Sequence, residues 1–98
     1  GVEGLRHFSH IHGLLPRLGF FVGNESRLPF DFDAALRLTA PRRVLLIAPT
    51  LDRYARVTDV ATEVKAVAYP GLEFETPLDF NRFYRATQQR VLEWLTAK

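Results

Sequence analysis

The sequence predicts an α/β fold: two parallel strands joined by a helical crossover, with further helices on their flanks. Three observations carry this. The run Val44-Leu45-Leu46-Ile47-Ala48 is apolar at every position, which is the pattern of a strand covered on both faces. From Leu72 to Thr76, the residues Leu72, Phe74 and Thr76 alternate with Glu73 and Glu75, the period of a strand with one polar face. Between the two runs, Val60, Val64, Val67 and Ala68 recur at helical spacing. A helix between two strands of one sheet makes them parallel, and such crossovers are right-handed.

The elements follow in chain order. His7 to Val22 is apolar but broken by Gly13, Pro16 and Gly19. A proline inside a helix costs about 3 kcal/mol and a glycine about 1, so one long helix is excluded. A short helix before Gly13 and a second turn from Pro16 fit better, since proline suits a first helical position. Gly23 to Ser26 reads as a turn. Asp31 is placed to cap a helix over 32–39, with Asp33 in its first turn, where a carboxylate favours the positive end of the dipole. Phe32, Ala35 and Leu36 share one face of it. Pro41 stops this helix, and Arg42-Arg43 lead into the first strand. Pro49 ends that strand because it cannot donate to a ladder. Thr58 reads as the cap of the crossover helix, which runs to about Ala68 before Tyr69-Pro70-Gly71 breaks it. Pro77 ends the second strand. A last helix spans 85–97, with Thr87, Val91, Trp94 and Leu95 on one stripe and Trp94 as an anchor of the core.

A chain of 98 residues fits one domain with a small core. Residues 1–27 read as an irregular helical segment and 28–98 as the α/β lobe. The net charge of +2 comes from scattered arginines, of which only Arg42-Arg43 are adjacent. A nucleic-acid binder concentrates basic charge on one face or run, so this distribution points away from that class. The absence of cysteine removes disulfides, thiolate metal sites and cysteine nucleophiles. No stretch has the length of a membrane span. The start Gly1-Val2-Glu3-Gly4 lacks an initiator methionine and the pattern of a signal peptide, which reads as a processed or truncated piece.

Four groups of residues bear chemistry. Asp52 falls in the loop past the carboxyl end of the first strand, where open α/β sheets gather ligands and catalytic groups; the plainer reading is a carboxylate that caps the next helix or pairs with Arg53 or Arg56. His7, His10 and His12, with Glu3 or Glu25, have a spacing that a zinc ion accepts; the plainer reading is three histidines without metal, and no metal or other cofactor is expected. Glu73 and Glu75, with Asp79 beyond them, share a strand face as acid–base pairs do, or as any polar strand face does. Tyr54, Phe80, Phe83 and Tyr84 beside Arg82 and Arg85 suit base stacking, or the packing of the last helix.

The segment Ala40-Pro41-Arg42-Arg43-Val44-Leu45-Leu46-Ile47-Ala48-Pro49-Thr50-Leu51-Asp52-Arg53-Tyr54-Ala55 resembles the part of α/β-hydrolases that carries the penultimate strand and the acid of the catalytic triad. The ending, a strand, a loop and a helix closing on Val91-Leu92-Glu93-Trp94-Leu95, is similar to the last strand and helix of the same fold. The nearest flavour is that of dienelactone-hydrolase-like and acetyl-xylan-esterase-like esterases, and the likeness covers residues 28–97. It implies a mostly parallel sheet of about eight strands, of which this chain supplies the last two, and it implies Asp52 as the triad acid. Two departures stand against activity. The nucleophile elbow Gly-x-Ser-x-Gly is absent; the serines are Ser9 and Ser26, and Gly23-Asn24-Glu25-Ser26 has its glycine at the wrong offset. The loop after the last strand, Pro77 to Tyr84, has no histidine; neither Asp79 nor Asn81 moves protons near neutrality as imidazole does.

The expected protein is therefore a C-terminal α/β-hydrolase-like lobe of esterase ancestry, catalytically incomplete by itself. Two other readings stay open: a self-associating or partner-binding module, and an ester hydrolase whose site forms between chains from Asp52 and an N-terminal histidine. Two parallel strands leave two edges of unpaired amides and carbonyls. A homo-oligomer, most simply a dimer, is expected to complete the sheet, unless an upstream hydrolase half does so.

Overall fold

A computed structural model describes residues 16–53 and 55–97. The three histidines, Glu3, Ser9, Tyr54 and the short helix before Gly13 lie outside the described residues. The chain forms two compact units, residues 1–38 and 39–98.

In the first unit a 3-10 turn begins at Pro16 and runs to Phe21, where the fixed φ of proline suits an opening position. Gly23 has φ 89°, in the left-handed region open to glycine, and the chain folds back so that Asn24 N–H donates to Phe21 O at 2.8 Å. A second 3-10 turn, Glu25–Arg27, follows. Helix α1, Phe32–Arg37, is capped as its sequence predicts: the Asp31 carboxylate accepts from Phe32 N–H at 2.6 Å. It ends two residues short of the expected 39. Pro41 disfavours a helical residue before it, and the chain closes instead in a turn, with Arg42 N–H donating to Thr39 O at 2.9 Å.

The second unit holds a two-stranded parallel sheet, β1 (Val44–Ile47) and β2 (Leu72–Glu75), with helix α2 (Val57–Val67) between them in sequence and α3 (Arg85–Thr96) after them. The mixed α/β class and the parallel pairing expected from the sequence are both present. Leu45 stands opposite Glu73 and Ile47 opposite Glu75. One sheet face therefore carries Leu45, Ile47, Glu73 and Glu75, and the other Val44, Leu46, Leu72 and Phe74. Val44 N–H donates to Gly71 O and Ala48 N–H to Glu75 O, both at 2.9 Å, so these bonds fix the two ends of the ladder. Gly71 is required at its start. A Cβ there would lie 2.9 Å from Arg42 O and 3.2 Å from Pro41 O.

Entry into β1 is pinned by Tyr69. Its hydroxyl donates to Arg42 O at 2.9 Å. Its single proton is then used, so in the 2.7 Å contact with Thr39 Oγ1 the threonine is the donor.

Three expectations need correction. The first concerns cover on β1: Val44 to Ile47 are each only half-buried, and Ala48 is the one fully buried apolar residue among those described. Among the described residues β1 has a hydrogen-bonded neighbour on one edge only. The second concerns the start of α2, which opens at Val57 with Arg56 as its cap residue. Thr58 sits inside the first turn, where its carbonyl accepts from Thr62 Oγ1 at 3.0 Å. The start lies two residues earlier than expected and adds Val57 to the half-buried stripe of Val60, Val64 and Val67, while Ala68, expected on that stripe, is exposed past the helix end. The third concerns α3: its half-buried residues are Thr87, Arg90, Val91 and Trp94, while Leu95 is 61 % exposed. An arginine takes the place on the stripe that a leucine was expected to hold.

Candidate functional site at the carboxyl ends of the strands

Past the strands, the loops that follow β1 and β2 run side by side. Thr50 N–H donates to Pro77 O at 2.9 Å and Leu51 N–H to Asp79 O at 3.0 Å. The parallel pairing is thus continued beyond Ala48 through two proline-containing loops. Asp52 closes a turn on Pro49 O at 3.2 Å, and its Oδ1 lies 3.3 Å from Ala55 N–H. That places the Asp52 carboxylate at the carboxyl end of the sheet, half-buried and engaged with the backbone that leads into α2. The neighbouring loop brings Asp79, whose Oδ1 accepts from Phe80 N–H at 2.8 Å. The Thr50 hydroxyl is shut off from solvent and has no hydrogen-bond partner among the described residues.

A second cluster lies on the sheet face that carries the glutamates. Arg90 of α3 donates through Nε to Glu75 Oε1 at 2.6 Å, and its Nη2 pairs with both Glu75 and Glu73. The indole N–H of Trp94 donates to Glu73 Oε1 at 3.1 Å. The Glu75 hydrogen bond holds the Arg90 guanidinium above its ordinary range against the opposing effect of desolvation, with the charges of Glu75, Glu73 and Glu93 adding to the rise. Glu73 and Glu75 do share a face, as their spacing requires, but a cation sits between them. They form the seat of α3 rather than an acid–base pair. Arg43 completes the clasp from the entry of β1. Its guanidinium lies 4.5 Å from the centre of the Trp94 ring and donates to Trp94 O and Ala97 O at 2.9 and 2.8 Å. It thereby satisfies carbonyls that the end of a helix leaves open.

On that same face β1 is less well covered. An open groove of about 230 Å³ lies between Leu45, Ile47 and Pro49 on one wall and Asn81, Phe83 and Thr87 on the other. Around it the loops expose large apolar side chains, with Leu78 81 % and Phe83 65 % accessible.

Comparison of the chain with protein families, characterised proteins and solved structures gave no match. The site has therefore to be read from its own chemistry. Among the described residues, no three acidic or histidine side chains converge as a metal site would require, and no helix is long and apolar enough to cross a membrane. The metal reading of His7, His10 and His12 lies outside the described residues. Phe80, Phe83 and Tyr84 share the loop before α3 with Arg82, and Phe80 and Phe83 are exposed. Sequence reasoning missed Arg43 and Arg90 as ties between sheet and helix. A signal for Arg90 was present: it falls three residues after Thr87 and four before Trp94, on the stripe itself.

Proposed function

We propose that this chain is an α/β-hydrolase-like C-terminal lobe of esterase ancestry that carries no ester-hydrolysing activity by itself and acts as a binding scaffold. One observation carries the reading. Asp52 stands in the loop past the carboxyl end of β1, and the loop hydrogen-bonded beside it offers Asp79 and no imidazole. A triad acid works by orienting a histidine that accepts the nucleophile's proton. The backbone amide of Ala55 faces the Asp52 carboxylate, which supports the role of a loop-stabilising carboxylate.

An ester assay tests this. Purified protein should turn over p-nitrophenyl acetate no faster than buffer containing an equal concentration of free imidazole, and Asp52→Asn should leave that background unchanged. Turnover well above background that falls at least tenfold in Asp52→Asn would support the competing reading, a site assembled between chains with an N-terminal histidine, and would end this one.

A further inference from the structure

We propose that the open edge of β1 binds the same edge of a second copy, antiparallel about a twofold axis, with Leu45 opposite Ile47 of the other chain. The inference rests on the scaffold reading above but needs no activity. Its starting point is which amides are used. Val44 and Ala48 donate toward β2. By alternation Leu46 also faces β2, and the N–H and C=O of Leu45 and Ile47 face the other way. Among the described residues β1 has no strand on that side.

Within the strand itself the edge carries none of the devices that keep edges apart. From Val44 to Ala48 there is no charge, no proline and no bulge. Pro49 ends it on one side because it lacks an N–H. The pattern is also self-complementary. Two outward-facing residues spaced by two can each exchange a pair of hydrogen bonds with the other in an antiparallel partner, giving about four interchain bonds. Arg43 would then face Pro49 of the other copy, and the ladder would stop there at both ends by symmetry. Leu45 and Ile47 of each copy would lie on one continuous sheet face and wall in the open side of the groove beside Phe83 and Thr87.

The burial of the strand agrees: Val44 to Ile47 are each only half-buried. A monomer with a single fully buried apolar residue among those described has cover still to find.

Sedimentation of the full chain at micromolar concentration, together with two variants, tests the proposal. The parent should sediment at twice 11.2 kDa. Ile47→Pro removes only an amide that faces the open edge, so it should halve the mass while the far-ultraviolet circular dichroism stays unchanged. Leu46→Cys, in a chain without other cysteines, lies on the twofold axis, where opposed Cα atoms stand about 4.5 Å apart, within disulfide reach. On mild oxidation it should form a covalent dimer at least tenfold faster than Leu92→Cys on the exposed side of α3. A monomeric parent overturns the proposal, as does a dimer that Ile47→Pro leaves intact. If Ile47→Pro loses its fold, the cysteine comparison decides alone: equal rates at the two positions overturn the proposal. Neither mass nor cross-linking bears on ester turnover, so failure here and failure of the scaffold reading are separable.

Discussion

β1 and β2 lie side by side in one parallel pair, yet they are built for different positions. β1 is apolar on both faces, and among the described residues its outward amides at Leu45 and Ile47 are met by no strand. Prolines flank both strands, Pro41 and Pro49 about β1 and Pro70 and Pro77 about β2, but at the start of β2 Leu72 N–H is already taken by Tyr69 O at 3.0 Å. Glu73 and Glu75 fill one of its faces. The lesson is that the two patterns report on more than solvent. The polar face of β2 is solvent-accessible at Glu73, yet it is also the seat of α3, whose Arg90 and Trp94 bind it. The apolar faces of β1 do not mark a finished core; among the described residues the strand has one hydrogen-bonded neighbour and stays half-buried.

The contrast is broken most severely by Leu46→Pro. Its amide faces β2, midway between the ladder bonds of Val44 and Ala48, and a proline there deletes the central bond of a four-residue pair. Loss of cooperative unfolding is expected, against the tolerated Ile47→Pro one residue on. Equal behaviour of the two prolines in thermal melts would show that the edges do not differ. Gly71→Ala comes next, costing about 2–3 kcal/mol. Its Cβ would press on Arg42 O and Pro41 O, both main-chain atoms that cannot turn aside. A urea midpoint within error of the parent would mean that the ladder can open at that end without strain.

Trp94→Ala tests the clasp on the β2 side. It removes the donor to Glu73 and the ring under Arg43, and a loss of about 2 kcal/mol is expected from one charge-assisted hydrogen bond and one cation–π contact at a half-buried site. Trp94→Phe should recover part of this, because it keeps a ring for Arg43 but no N–H for Glu73. If both variants match the parent in urea melts, α3 is held by something other than this contact.

How much of this was legible beforehand depends on the period of each element. Both strands, their parallel pairing, the Asp31 cap and the stripe of α2 were readable, because each is a local pattern with a local cause. The half-buried state of β1 was not: an unbroken apolar run specifies what a strand needs, whereas burial depends on which neighbours are present. Arg90 escaped because a cation on an apolar stripe reads as an interruption until Glu73 and Glu75 are known to face it across the sheet. Asp52 was placed correctly in the loop after β1, but its contact with Ala55 turns on loop geometry that no periodicity encodes.

The smallest expected effect sharpens the comparison from the β2 side. Arg90→Gln leaves a donor near Glu75 but removes the charge between the two glutamates. Because Arg90 is solvent-accessible, the loss should be a drop in melting temperature of roughly 2–4 °C, and it should shrink as salt is added. The pH response has a definite sign. The guanidinium is held above its ordinary range in the folded chain, so its contribution is fully present below that range and is lost only as the pH rises through the raised value, in strong alkali. The gap between parent and Arg90→Gln should therefore stay constant from neutral pH into mild alkali. A gap that closes over that interval, or one indifferent to salt, would mean that Arg90 is not what seats α3 on β2. The asymmetry between the two strands would then lie in the apolar residues of β1 alone.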